Sequence, residues 1–270
     1  MFELRTVQRD TSCPGIHVPP TYWVLKIQDW LEELVPESSL LGVLIRDEYM
    51  EALKAVIEYS SKRTTNFPTV ISHGGDRKDN EDDMRVDDDT LSAPFRNPFL
   101  DPPAQLVSYR GGFILVGHPG IGEQHRFLPA VDSHPCLGKT VWLNVVLILR
   151  LQAGLPTIYQ SHPDRLYLFS KEGVFKCNCS PGHIPNPCEF RRRIPESTWC
   201  LIDCNQDLVG VPMFIQQLRL FIVQASSLRS DHLKWTNKAT SLVIRYFMKP
   251  WTLSELIVGH VTHVCFCDSY

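Results

Sequence analysis

The sequence predicts an α/β protein: a mostly parallel sheet with helices on both faces, plus N-terminal helices. Three observations lead there. From residue 112 onward, short apolar runs alternate with amphipathic segments, as strands alternate with crossover helices. The runs GFILVG, STWCLIDC and LRLFIVQASS are nearly continuous in apolar residues, which suits strands buried on both faces. Upstream, residues 22–60 carry apolar positions at helical spacing.

Taken in order, TYWVLKIQDWLEELV places Trp23, Leu25, Ile27, Trp30, Leu31 and Leu34 on a helical stripe. VLIRDEYMEALKAVIEYSSKR repeats the pattern with Tyr49, Leu53, Val56 and Ile57. Residues 1–71 therefore read as an N-terminal helical collar. Residues 72–104 combine an acidic run with Gly and Pro and lack a period, the signature of a disordered or loosely packed insertion. Residues 105–270 form the main domain. In it GFILVG is a strand, KTVWLNVVLILRLQ a helix stopped by Gly154, and PTIYQ a strand. RLYLFSKEGVFKC is a hairpin turning at Lys171–Gly173. STWCLIDC, LRLFIVQASS and SLVIRYFM are further strands, and TLSELIVGHV is a closing helix.

Composition narrows the function classes. The 270 residues carry a formal charge of −3, which gives no electrostatic footprint for nucleic acid. No apolar run is long enough to span a bilayer, and MFELRTVQRDTSCPG lacks the apolar stretch of a secretory signal. A cytoplasmic or nuclear location is expected, with no membrane partner. The nine cysteines are then buried thiols rather than disulfides.

One motif carries chemistry. A P-loop reads G-x-x-x-x-G-K-[ST] between a strand and a helix; its backbone N–H groups cradle phosphate, its lysine reaches the β- and γ-phosphates, and its hydroxyl ligates Mg²⁺. Here the strand runs into Gly117-His-Pro-Gly120-Ile-Gly122, the first six residues of the motif. After fifteen intervening residues come Gly138-Lys139-Thr140 and the amphipathic helix. Removing the 16 residues Glu123–Gly138 leaves GHPGIGKT, a complete P-loop. We read residues 123–138 as an insertion from a retained intron or an error in the gene prediction: a Gly-Glu junction can be encoded by GGTGAG, which resembles a splice donor, and 16 codons keep the frame. As it stands, the insertion interrupts the phosphate nest, and closing it as a loop costs entropy.

A P-loop fold also needs an apolar strand ending in an Asp that holds Mg²⁺ through water. Trp199-Cys200-Leu201-Ile202-Asp203 fits. The residue after Asp203 is Cys204, which cannot serve as the water-activating base often found there; Asn205 and Asp207 are nearby substitutes. The following strand ends in Gln224-Ala225-Ser226 and is expected between the two motif strands, where Gln224 or Ser226 would sense the γ-phosphate. Arg229 is a candidate charge stabiliser beside an ordinary reading as a solvated loop arginine.

GHPGIG…GKTVWLNVVLILRLQAGLPTIYQ, WCLIDCNQD, FIVQASSLRSDHLKW and FMKPWTLSELI follow one another in this order. Together they resemble the P-loop NTPase module of fungal Crinkler-type and retrotransposon-hot-spot-like proteins, over residues 112 to about 260. The resemblance implies an ATP-dependent module of the AAA/STAND kind. It implies phosphate binding by Gly117, Gly120, Gly122, Gly138, Lys139 and Thr140, and Mg²⁺ binding by Thr140 and Asp203. The catalytic candidates are Asp203, Asn205 and Gln224. This sequence departs from the pattern in its split P-loop and in the acidic stretch ahead of the P-loop strand.

Two function classes stay open. One is ATP binding and hydrolysis with Mg²⁺ as cofactor. The other is an inactive relic that serves as an interaction module for an unidentified protein partner. A weaker signal is the set Cys177, Cys179, His183 and Cys188, which offers four zinc ligands at an unusually tight Cys-x-Cys spacing. Arg191–Arg193 reads as a solvated basic face.

Overall fold

The computed structural model describes residues 3–8, 21–26, 43–61, 70–71, 96–100, 111–117, 138–179, 186–239 and 242–250. The chain divides into two compact units, Met1–Met50 with His73–Arg96 and Lys249–Tyr270, and Glu51–Ser72 with Asn97–Met248.

In the first unit, β1 (Glu3–Gln8), β2 (Thr21–Lys26) and β3 (Val43–Ile45) form an antiparallel sheet in the order β1-β2-β3. This corrects the expected N-terminal helices over the start of residues 22–34. The segment TYWVLK is rich in aromatic and β-branched residues, which favour a pleated surface, and a short apolar run does not fix its own period. Residues 27–34 lie outside the described residues. The second expected helix does form as α1 (Asp47–Ser61), but Val43–Ile45 ahead of it is a strand. Around its start, the Arg46 guanidinium donates to the carbonyls of Lys249 and Pro250, and the Glu48 carboxylate accepts from the Lys249 backbone N–H. Lys249 is thus held through both its carbonyl and its N–H.

The second unit is built on one eight-stranded sheet. Its strands are β4 (Val70–Ile71), β5 (Gly111–Val116), β6 (Thr157–His162), β7 (Arg165–Ser170), β8 (Gly173–Asn178), β9 (Trp199–Asp203), β10 (Phe221–Ser226) and β11 (Val243–Phe247). Their order is β4-β11-β5-β10-β9-β6-β7-β8. The first six are mutually parallel, while β7 and β8 extend the sheet as the expected antiparallel hairpin. The fold is therefore α/β with a mostly parallel sheet. β5, β9 and β10 are buried along their whole length, as their apolar runs require.

Side chains alternate between the two faces. Phe113 of β5 stacks on Trp142 of α2 (Lys139–Gln152), with ring centroids 6.1 Å apart. The neighbours of opposite parity, Ile114, Val116, Cys200, Ile202 and Ile222, pack instead with Phe214 and Ile215 of α4 (Met213–Gln217) and with Trp235. Helices thus cover both faces. α2 ends where Gly154 was expected to stop it. Gly154 takes φ +66°, its N–H bonds the Leu151 carbonyl, and the Leu155 N–H bonds the Arg150 carbonyl. That pair of bonds closes a Schellman cap, which a residue with a Cβ adopts only under strain.

At this end of α2, Arg150 is fully buried. Its Nε donates to Thr157 Oγ1 and its Nη2 to the carbonyls of Pro156 and Ser197. Its guanidinium lies 4.2 Å from the centroid of the Trp199 ring and 5.5 Å from that of Phe99. Burial pulls its pKa down to about 9. Phe99 belongs to the far end of the acidic stretch expected to pack loosely. There Asn97 and Phe99 are buried, with Asn97 Nδ2 donating to the Leu149 carbonyl. The remainder of that stretch up to residue 95 lies outside the described residues, as does the expected closing helix after Trp251.

Candidate functional site

The carboxyl ends of β5, β10 and β9 lie side by side. Val116 is level with Ser226, and Ala225 with Asp203. This edge is where ligands bind in open α/β sheets. As expected from the sequence, β10 sits between the two motif strands.

Gly117 follows β5 and is buried; its N–H donates to the Ser226 carbonyl at 3.4 Å. A Cβ placed on Gly117 would meet Cδ, Cγ and Nζ of Lys139 at 3.1–3.3 Å. The lysine stem therefore lies over the glycine, and only the missing side chain allows so close a fit. Gly138 precedes α2 in a helical conformation, and its carbonyl accepts the Trp142 N–H, the first bond of the helix. Thr140 then stands in the first turn, and its Oγ1 donates to Asp203 Oδ1 at 3.2 Å. Two residues 63 positions apart are brought together at the strand edge. Gly120 and Gly122 lie outside the described residues, as does the insertion up to Leu137.

The neighbourhood of Asp203 includes a group that sequence reasoning missed. Tyr159 of β6 is 1% exposed and points to the same face. Its phenol pKa is pushed far up by burial and then by the negative charge of Asp203, while a hydrogen bond with Ser161 opposes the shift. A Tyr at an alternating position of a predicted strand was the available signal. Asp203 is 7% exposed, and Lys139 and Thr140 are half-buried. A hydroxyl and a carboxylate in contact are hard oxygen donors, the set that Mg²⁺ prefers. The residues present fit that ion.

Gln224 does not join this group, which corrects its expected role. It alternates to the opposite face, where it is fully buried. Its Nε2 donates to Cys204 Sγ (3.1 Å) and to the His232 carbonyl (2.9 Å), while its Oε1 accepts from Trp235 Nε1. Ser226 shares that face; its Oγ donates to the Ser227 carbonyl and lies 3.1 Å from His232 Nδ1. The residue of β10 that faces Asp203's side is Ala225, which has no polar group.

Asn205 is likewise a positioning residue for its own loop. Its Nδ2 donates to the Ser161 carbonyl, and its Oδ1 accepts the backbone N–H groups of Asp207 and Leu208. Both ends of the amide are engaged, so it is not set as a base. Cys204 is buried, and burial pushes its thiol up to about 12, with the Asp203 charge adding to the shift. Arg229 is exposed just ahead of the short helix α5 (Ser230–Leu233).

Among the described residues, which hold three members of the weak zinc signal, no three His, Cys, Asp or Glu side chains gather. Cys188 is exposed in the first turn of α3 (Pro187–Arg193), and His183 lies outside the described residues. No helix among the described residues is long and apolar enough to cross a membrane.

Compared with protein-family models, with curated proteins and with solved structures, the chain matches none.

Proposed function

We propose that the second unit binds a nucleoside triphosphate together with Mg²⁺ at the carboxyl edge of its sheet. The observation that carries this reading is the hydrogen bond from Thr140 to Asp203. It pairs the residue after the motif lysine with the acid that ends the second motif strand. The fit of Lys139 over Gly117 and the position of β10 between β5 and β9 add to it.

In this reading Lys139 supplies a positive charge to the terminal phosphates, and the N-terminal turn of α2 adds its dipole. Thr140 and Asp203 hold the ion. Bound Mg²⁺ neutralises charge on the phosphate oxygens. Binding and positioning are then the work of residues from two strands and one helix.

A second reading, nucleotide binding without turnover in a module that engages a protein partner, is favoured by one observation. Cys204 and Asn205, the two residues after Asp203, are both committed to structural hydrogen bonds. Neither is available to activate water.

Three proteins test both readings: the chain itself, a version lacking Glu123–Gly138, and that version with Lys139→Ala. ATP·Mg²⁺ binding measured by calorimetry should rise on deletion and vanish with the alanine. Absence of binding in all three would sink the nucleotide reading. Phosphate release from the binding-competent version separates turnover from binding alone.

A further inference from the structure

The sheet ends at β8, which among the described residues pairs with β7 alone. The Cys179 N–H donates to the Asp164 carbonyl at 2.8 Å, one step beyond the last register pair, Arg165 with Asn178. In an antiparallel ladder that bond fixes the alternation. Odd-numbered residues of β8 turn their backbone groups toward β7, and even-numbered ones turn them outward. Val174, Lys176 and Asn178 are the outward residues. Asn178 already interacts elsewhere in the chain, which leaves the N–H and C=O of Val174 and Lys176 along the open edge. The side chains are open too: residues 173–176 are exposed, Val174 at 57% and Phe175 at 50%.

Edge strands are commonly blunted by proline, by a bulge or by an outstretched lysine. β8 contains no proline, and its six pairs with β7 run without a shift, whereas the β6–β7 ladder is irregular between Tyr159 and His162. The lysine of β8 folds back over its own hairpin, with Lys176 Nζ 5.9 Å from the centroid of the Tyr167 ring. The strand is thus left ready to accept a neighbour. At the other end of the sheet β4 has two residues, too short for a ladder of its own.

The outward groups of Val174 and Lys176 match the same two residues turned about a two-fold axis. Three registers can join them. Val174 opposite itself sets Lys176 against Glu172, a turn residue whose carboxylate bonds Ser170 Oγ, so the ladder runs out at the turn. Lys176 opposite itself places like charges directly across the ladder, which is destabilising. Val174 opposite Lys176 avoids both and forms four reciprocal backbone bonds. Phe175 then meets Phe175 of the second copy on the axis as a non-hydrogen-bonded pair, Cα atoms about 4.5 Å apart, where aromatic pairs are favourable. Each Val174 lies against the stem of the opposite Lys176. Glu172 of one copy stands diagonally from Lys176 of the other, so the charges complement each other. We propose that β8 pairs antiparallel with β8 of a second copy of this chain, in the Val174–Lys176 register about an axis at Phe175. The sheet then continues across a two-fold dimer, and this symmetry closes. One edge buries little area, so the dimer depends on concentration.

The test is sedimentation equilibrium of the full chain over a concentration series, without nucleotide, for the wild type and Lys176→Pro. The wild-type mass should climb toward that of two chains. Lys176→Pro removes an N–H that the β7 ladder does not use, so the hairpin keeps its bonds while the dimer loses two, one per copy. Its dissociation constant should rise by about 100-fold. Circular dichroism checks that the variant folds. A single-chain mass for the wild type at every concentration overturns the proposal and leaves the edge to an extended segment of a different protein. Equal association of the wild type and Lys176→Pro overturns it as well, by placing the contact on another surface. Phe175→Cys and Val174→Cys, each oxidised under mild conditions, read the register without the proline. A disulfide between copies joining position 175 to position 175 is expected in the first, and none joining the two positions 174 in the second, as located by peptide mass spectrometry. The reverse pattern, or no bond at position 175, contradicts the pairing.

Discussion

The two faces of the sheet meet at one carboxyl edge, and both place polar side chains there. On the α2 face stand Lys139, Thr140 and Asp203: a cation, a hydroxyl and a carboxylate, the first two half-open to solvent. On the α4 face stand Gln224, Cys204, Ser226 and His232, all at most 8% exposed. This second group is neutral and bonds chiefly to itself. Polar atoms sealed from water must be satisfied locally, and Gln224 uses both ends of its amide to do so. The difference separates two kinds of buried polarity. One set holds the strand ends together; the other presents charge where a ligand can reach it.

The largest expected effect breaks the side proposed to face the nucleotide. In the version lacking Glu123–Gly138, Asp203→Ala should weaken Mg²⁺-dependent ATP binding by about 100-fold, about 2.8 kcal/mol. Its urea midpoint should move little. Next, Gln224→Leu leaves Cys204, the His232 carbonyl and the Trp235 indole without their partner, and should lower stability by about 2 kcal/mol. Nucleotide affinity of the folded fraction should stay unchanged. A loss of binding at full stability would reverse the assignment of the two faces.

Two glycines sharpen the contrast. A Cβ on Gly112 would lie 2.5 Å from the Trp235 ring, whereas one on Gly117 meets the flexible Lys139 stem. Gly112→Ala should therefore cost about 2 kcal/mol of stability through overpacking. Gly117→Ala should cost less stability but displace Lys139, with about tenfold weaker binding, about 1.4 kcal/mol. Chemical denaturation and calorimetry read the two effects separately.

The smallest effect concerns pH. The His232 pKa is lowered by burial and by the Arg229 charge, against the opposing charge of Asp231. Among the described residues its buried Nε2 has no hydrogen-bond partner to receive a proton. The folded state thus binds fewer protons than the unfolded chain just below the ordinary histidine pKa of about 6.5. Stability is complete above that pH and falls as the pH drops toward the lowered value. A urea-midpoint profile from pH 7.5 to 5 should show this slope, and His232→Gln should flatten it.

Most of the second unit was legible in the sequence because its signals are local. An unbroken apolar run such as WCLID reads as a strand wherever it is placed, and Gly154 marks a helix end by its own backbone freedom. The Thr140–Asp203 pairing was legible too, because each half-motif fixes its own element and the sheet order does the rest. What escaped depends on facing. Gln224 is one residue away from the side where it was wanted, and alternation turns that step into the opposite face. Asn205 looked chemical in sequence, yet loop geometry claimed both ends of its amide. The N-terminal strand hid in a short apolar run that fits a helix equally well.

Arg150 gives α2 a fixed end. Its guanidinium ties the last turn to the starts of β6 and β9, through Thr157, the Ser197 carbonyl and the Trp199 ring. Lys139 and Thr140 begin the same rod, about 16 Å away at 1.5 Å per residue. Every residue from Trp142 to Arg150 is buried as well, so the rod has little room to shift along its length. The place where Thr140 meets Asp203 is thus set from the far end of the helix by a buried cation.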